Sequence, residues 1–263
     1  MRHYNQTTGK FTFGMFILTI LFLYMPLLIL IIYSFNESRM MNWTGFSFRW
    51  YQELFFNSAN LWRSLGNSAI VALSSAVVST IIGTLGAIGL YWYKFRFRKT
   101  IQTAAFIPML IPEIIVGVSL LILFAGIKMP LSLYTVFIAH TTFNVPFVLL
   151  VVMARLQGFD YTIIEAAHDL GAKELQTLWK VILPTALPGV LAGFLIAIIL
   201  SLEDFVITFF VSGPGSSTLP LHINSMIRFG VTPTINALSV VIIASAIILA
   251  FLSRNAVKSL FQK

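Results

Sequence analysis

The sequence predicts an all-α integral membrane protein with six transmembrane helices. Of its 263 residues, 58% are hydrophobic and 10% charged, too little polar surface to cover a soluble globule. The apolar residues also gather into six runs, at about 11–35, 66–93, 101–125, 132–155, 182–211 and 233–253. A hydrocarbon core takes roughly 20 helical residues to cross, and each run meets that length. The whole chain, 1–263, is read as one transmembrane domain.

Two other classes are disfavoured at once. With no cysteine the chain has no disulfide, thiol chemistry or thiolate metal site. The net charge of +8 does not point to nucleic acid, because the basic residues are scattered between apolar runs and form no stripe with interleaved aromatics.

The first run follows Arg2 and Lys10 and so looks like a signal peptide, yet it is too long for one and lacks a small-residue cleavage site. It is expected to persist as the first span. Placing the N-terminus in the cytoplasm puts twelve basic residues inside: Arg2, Lys10, Lys94, Arg96, Arg98, Lys99, Arg155, Lys173, Lys180, Arg254, Lys258 and Lys263. Five remain outside, at Arg39, Arg49, Arg63, Lys128 and Arg228. That asymmetry predicts a multi-pass protein with both termini cytoplasmic. Pro26, Pro146 and Pro188 are expected to kink their helices.

The first outer segment, 36–62, carries Trp43, Phe46, Phe48, Trp50, Tyr51, Phe55, Phe56 and Trp62. Rings at this density suit the headgroup zone, which favours a helix lying on the outer interface. Contact with an external partner protein is the alternative. In the second span Ser75, Ser79, Gly83 and Ala87 recur every four residues and predict a closely packed helical face.

In the third span Glu113 follows Pro108 and Pro112 and precedes Gly117. Prolines this close break the helical ladder, and broken backbone in a membrane must be buried in protein or line water. Glu113 is therefore placed near a pathway, the alternative being a solvated acid at the inner interface. The fourth span holds His140, Thr141, Thr142 and Asn144. Serines and threonines in spans bond back to their own helix, and a lone histidine reads as a packing residue. No second histidine or carboxylate stands at ligand spacing, so no metal is expected.

The stretch from Asp160 to Pro184 is polar, with Asp160, Glu165, Asp169 and Glu174 among the nine acids of the chain. Asp160 is a predicted N-cap for a helix over 161–170, and Gly171 its left-handed terminator. A second helix is expected from Lys173, with Leu175, Leu178, Trp179 and Ile182 on one apolar stripe. The pattern fits equally a docking element and a connecting loop resting on the bundle.

Glu203 and Asp204 are consecutive in the fifth span, so on a continuous helix they point about 100° apart and cannot face one spot. An intramembrane acid costs about 2.5–3.5 kcal/mol on insertion scales, so acids there face a cavity, a partner or a substrate. No Lys or Arg lies within the six apolar cores, which leaves these acids without an evident partner in the chain and suits a cationic substrate. A glycine-rich outer turn, SGPGSST, follows at 212–218.

Glu165, Ala166, Ala167, Gly171, Leu183 and Pro184 resemble the EAA loop of permease subunits of ABC importers, whose pattern is E-A-A-x3-G-x9-I-x-L-P. Val181 stands where that family usually has Ile. The resemblance implies a MetI-like (type I importer) permease fold whose cytoplasmic loop forms coupling helices seated in a separate ATPase. Consistently, the chain has no G-x-x-x-x-G-K-[ST] phosphate loop, no catalytic constellation and no expected cofactor.

Residues 33–51 and 201–238 carry the likeness further, being similar to the spermidine/putrescine permease subunits of the PotC type. That branch implies a second homologous permease, an ATPase dimer, an extracytoplasmic polyamine-binding protein and a bacterial inner (plasma) membrane. Glu113 and Glu203 match positions where relatives carry Asp, with Asp204 shared, and these three are the candidate substrate pathway. Other small cargoes, such as thiamine, iron or an amino-acid derivative, and an ion-coupled carrier are the competing readings.

Overall fold

The computed structural model describes residues 6–39, 42–93, 95–160, 162–228 and 233–261. Of the residues weighed above, Arg2, Lys94, Tyr161 and Lys263 lie outside these. The described residues are helical apart from loops and one isolated bridge between Asn36 and Phe46. By their contacts they divide into two compact units, Met1–Ala59 with Ile223–Lys263, and Asn60–His222.

The first unit contains α1 (Gln6–Tyr33), α2 (Arg49–Phe56), the end of α11 (Leu219–Arg228) and α12 (Thr234–Phe261). Helix α12 packs on both α1 and α2. No residue in the apolar stretch of α1 is fully buried, as suits a helix whose further neighbour is lipid or another chain. The segment after α1 folds back through Asn36. Its side chain donates to the Asn42 carbonyl at 2.9 Å and accepts the Thr44 amide at 3.1 Å, and its carbonyl accepts the Trp50 indole N–H at 2.6 Å. Trp50 and Leu54 fill the inner face of α2, while Trp43, Phe46, Phe48, Phe55 and Phe56 remain exposed. A short amphipathic helix with rings on its open face is the form expected at an interface.

The second unit is built on α3 (Ala59–Trp92), α6 (Leu133–Leu156) and α9 (Leu183–Glu203). The predicted small-residue face of α3 is buried at Ser75, Ser79, Gly83 and Ala87. Val148 of α6 fills the space those small residues leave: a Cβ on Gly83 would stand 2.8 Å from its side chain, and one on Gly193 of α9 would stand 3.1 Å away. Such helices approach closely because nothing projects between them.

Among the described residues four helices are long and apolar enough to cross a membrane, Gly9–Tyr33, Ala59–Trp92, Leu133–Leu156 and Glu174–Glu203. The predicted third span is not one rod. It breaks into α4 (Arg98–Leu110) and α5 (Glu113–Gly126), bent by 103°, and counting the pair as one span gives five. The predicted sixth falls on α12, which runs over Thr234–Phe261 and includes the apolar stretch Thr234–Ile248. The predicted fifth also breaks, after Glu203, and resumes as α10 (Val206–Val211).

Candidate functional site

Two backbone breaks build the site. At the first, Pro108 and Pro112 remove amide donors, and the chain is extended at Ile111 (φ −82°, ψ 131°) and Pro112 (φ −54°, ψ 134°) before α5 begins at Glu113. At the second, Asp204 is extended (φ −63°, ψ 122°), which stops α9 and turns the chain into α10. The α5 and α10 segments pack together, Gly117 against Ile207 and Phe210. Their packing brings Glu113, Glu203 and Asp204 around one cavity of about 280 Å³, completed by Phe143, Leu200, Phe205 and Val206.

The expectation that Glu203 and Asp204 diverge on a continuous helix is thus corrected, because the helix ends between them. They also differ in setting. Glu113 and Glu203 are exposed, whereas Asp204 is 7% exposed. The Asp204 carboxylate accepts the amides of Ile207 at 3.2 Å and Thr208 at 2.9 Å, the Thr208 hydroxyl at 2.7 Å, and His140 Nε2 at 3.1 Å. It caps α10 in the manner of an N-terminal Asp, closing orphan amides that the break created.

His140 also corrects the reading that the acids lack a partner in the chain. It is 2% exposed; its Nδ1 lies 2.6 Å from Ser201 Oγ, and its Nε2 lies 2.9 Å from Thr208 Oγ1. Since a carboxylate only accepts, Nε2 carries the proton aimed at Asp204, and Nδ1 accepts from the Ser201 hydroxyl. Ser75 Oγ donates in turn to Ser201 at 3.4 Å. One polar chain therefore joins α3, α9, α6 and α10. Thr141 and Thr142 bond back to Phe137 and Ile138 in their own helix, as expected, whereas Asn144 crosses to the Ala197 carbonyl at 3.2 Å. Among the described residues no cluster of His, Asp and Glu could hold a metal.

Sequence reasoning missed Ser201 and Thr208. Their signal was present, as hydroxyls three residues before and four after Asp204, within one helical turn on either side of it.

At the other end of the unit the loop after α6 folds as two short helices, α7 (Thr162–Asp169) and α8 (Glu174–Thr177). Asp160 Oδ1 accepts the Thr162 amide at 3.0 Å, and that bond holds its carboxyl below the usual carboxylate range. Gly171, at φ +81°, closes α7: the Ala172 amide reaches the Ala167 carbonyl at 3.0 Å and the Gly171 amide that of His168 at 2.8 Å. This is a Schellman closure, which only glycine takes without strain.

The predicted single stripe on the second helix is corrected. A π turn over Leu178–Ile182 joins α8 to α9 and shifts the helical phase. Leu178 and Ile182 therefore pack into the core, while Leu175 and Trp179 project outward, 68% and 62% exposed. Leu170 and Ile163 are exposed as well, as are Glu165 and Ala166. Ala167 and Leu183 are half-buried, and Gly171 and Pro184 are exposed. Ile164 anchors α7 from beneath, beside Ile88, Trp92, Thr177 and Ile182.

Comparison with known proteins places this arrangement. Residues 79–263 match the family described as the binding-protein-dependent transport system inner membrane component. The chain is 42% identical over 234 residues to the spermidine/putrescine transport system permease protein PotC of Haemophilus influenzae, covering 89% of this chain and 91% of that one. It is 40% identical over 241 residues to the putrescine transport system permease protein PotI of Escherichia coli, covering 88% and 85%. A bacterial ABC transporter involved in the import of the acidic polysaccharide alginate shares the fold, with a TM-score of 0.77 over 97% of this chain and 98% of that one at 16% identity. The all-α fold is accordingly that of the MetI-like permeases, and the chain belongs to the family of binding-protein-dependent transport system inner membrane components.

Proposed function

We propose that this chain is a permease subunit of an ATP-driven importer of polyamines, spermidine and putrescine being the cargo class. The observation that carries the reading is the cavity at the two breaks, where the exposed carboxylates of Glu113 and Glu203 meet beside Asp204 in an otherwise apolar chain. Ionised acids in such surroundings are costly alone and are relieved by a cation that arrives with its own charges. A polyamine supplies ammonium groups in series on a flexible apolar stem. The names of the relatives support the same cargo.

The chain forms half of a pathway completed by a second, homologous permease, acts as a single domain over 1–263 in the lipid of the inner membrane, and has both termini in the cytoplasm. An extracytoplasmic binding protein delivers the cargo. The energy comes from an ATPase dimer that seats on Glu165, Ala166, Ala167, Gly171, Leu183 and Pro184, and the exposed Ile163, Leu170, Leu175 and Trp179 give that seat an apolar surface to bury. Closure of the ATPase pushes α7 and α8, and through the π turn the push enters α9, whose far end carries Glu203.

The test is uptake of labelled putrescine and spermidine by the assembled complex in proteoliposomes, with ATP inside. Wild type should accumulate polyamine, and Glu165→Lys should lose the ATPase on purification or uncouple hydrolysis from uptake. Uptake by the chain with no ATPase present, or an intact coupled complex carrying Glu165→Lys, would refute the proposal.

A further inference from the structure

The three carboxylates at the cavity share a wall but do not share surroundings. Asp204 receives four hydrogen bonds at 2.7–3.2 Å from Ile207, Thr208 and His140. Both of its oxygens are engaged, Oδ1 by the Ile207 amide and Oδ2 by the Thr208 amide, the Thr208 hydroxyl and His140. Glu113 and Glu203 are exposed and receive no comparable set of donors among the described residues. His140 is the one member of the Asp204 shell that comes from another helix, α6; the rest belong to α10 itself. Its ring is in turn fixed through Ser201 to Ser75, so its Nε2–H is aimed at Asp204 Oδ2 and the Thr208 hydroxyl oxygen beside it.

We propose that His140 is a positioning residue for transport: it holds Asp204 to the start of α10, out of the cargo's reach, so that the cation site is a two-carboxylate site made by Glu113 and Glu203. This rests on the polyamine reading above and divides the roles within that site. The physical reason is that a carboxylate saturated by donors has little left to offer an ammonium group, while removing one donor from another helix leaves α10 tied only to itself. Held in place, α10 fixes the break, and the break sets where Glu203 stands relative to Glu113. A dicationic segment then meets two acceptors, few enough to let it go again.

The geometry also says which substitutions should mimic the ring. The amide nitrogen of a glutamine reaches where Nε2 stands and can donate to Asp204, whereas an asparagine reaches only as far as Nδ1 and can meet only Ser201. Positioning therefore predicts that His140→Gln retains most of the turnover and that His140→Asn and His140→Leu lose it by about tenfold, the scale of one charged hydrogen bond. A role in packing alone predicts no such preference for Gln over Asn.

The experiment measures KM and turnover for putrescine and spermidine with the assembled complex in proteoliposomes. Glu113→Gln and Glu203→Gln should raise KM by about tenfold or more, each removing a charged contact to cargo. Asp204→Asn should lower turnover and raise KM by less than Glu203→Gln does, since it weakens the cap without removing a contact to cargo. A rise in KM for Asp204→Asn as large as that for Glu203→Gln would overturn the proposal, as would equal turnover in His140→Gln and His140→Asn. Thermal unfolding of the same complexes needs no cargo: His140→Leu and Asp204→Asn should be non-additive, and additive shifts would overturn the pairing. A wild-type complex that moves neither polyamine would sink the cargo reading, and the thermal cycle would still decide the role of His140.

Discussion

Gly117 is where the geometry of the site can be tested by a single methyl group. It lies one helical turn after Glu113 on α5, facing α10, and a Cβ built on it would stand 2.8 Å from Phe210 Cδ2 and 3.3 Å from Ile207 Cα. Ile207 is fully buried and α10 is tied to α6 through Asp204 and His140, so α10 cannot slide away without loosening that tie. Replacing glycine by alanine within a helix contributes about 1 kcal/mol from backbone entropy. Overpacking a close contact costs about 1–3 kcal/mol. The expected balance for Gly117→Ala is a loss of up to about 2 kcal/mol. Gly89→Ala in α3, where a Cβ meets nothing within 4 Å, should gain about 0.5–1 kcal/mol instead. Thermal unfolding of the solubilised complex separates the two signs, at about 2–4 °C per kcal/mol for a chain of this size. The wedge should also raise the KM for polyamine, since it moves α5 from α10 and Glu113 from Glu203. Equal stabilisation by both alanines would refute the close α5–α10 seam.

Two further outcomes are expected at the unit ends. Trp50→Phe removes the indole bond to the buried Asn36 carbonyl, a loss of about 1–3 kcal/mol; Trp43→Phe, at a half-exposed ring, should change little, and equal effects in a thermal or proteolysis assay would count against the Asn36 anchor. Asp160 has its carboxyl lowered by the Thr162 amide, so its contribution to α7 is present above the ordinary carboxylate range and is lost as pH falls through the lowered value. Protease cleavage within 160–171 should therefore rise on strong acidification in wild type and stay flat with pH in Asp160→Asn, and a parallel rise in both would remove the cap from the account.

Much of this was readable before any coordinates. The apolar runs marked the long helices because lipid demands them, the spacing of Ser75, Ser79, Gly83 and Ala87 marked a packed face, and Asp160 with Gly171 marked the ends of α7 by chemistry local to a few residues. What escaped was set by contacts distant in sequence. The break after Glu203 carries no proline or glycine, so local rules read a continuous helix; it exists because Asp204 finds His140, 64 positions away in the chain, and because α10 finds α5. The π turn at Leu178–Ile182 escaped for a similar reason. An ideal period of 3.6 put four apolar residues on one stripe, and an extra residue in one turn divided them between the core and the open surface.

The breaks also rank the two exposed acids. A helix start carries partial positive charge and a helix end partial negative charge. Glu113 is the first residue of α5, so the dipole of its own helix favours its carboxylate. Asp204 stands just before α10 and is satisfied by its amides. Glu203 is the last residue of α9, at the end whose unpaired carbonyls oppose a negative charge, and no donor reaches it among the described residues. Of the two exposed acids it is the one that its own helix end does less to stabilise, and so the one expected to gain more when a cation arrives. The ordering follows for uptake: Glu203→Gln should raise the KM for putrescine more than Glu113→Gln does, and the reverse order would show that helix ends do not set the charge balance at this cavity.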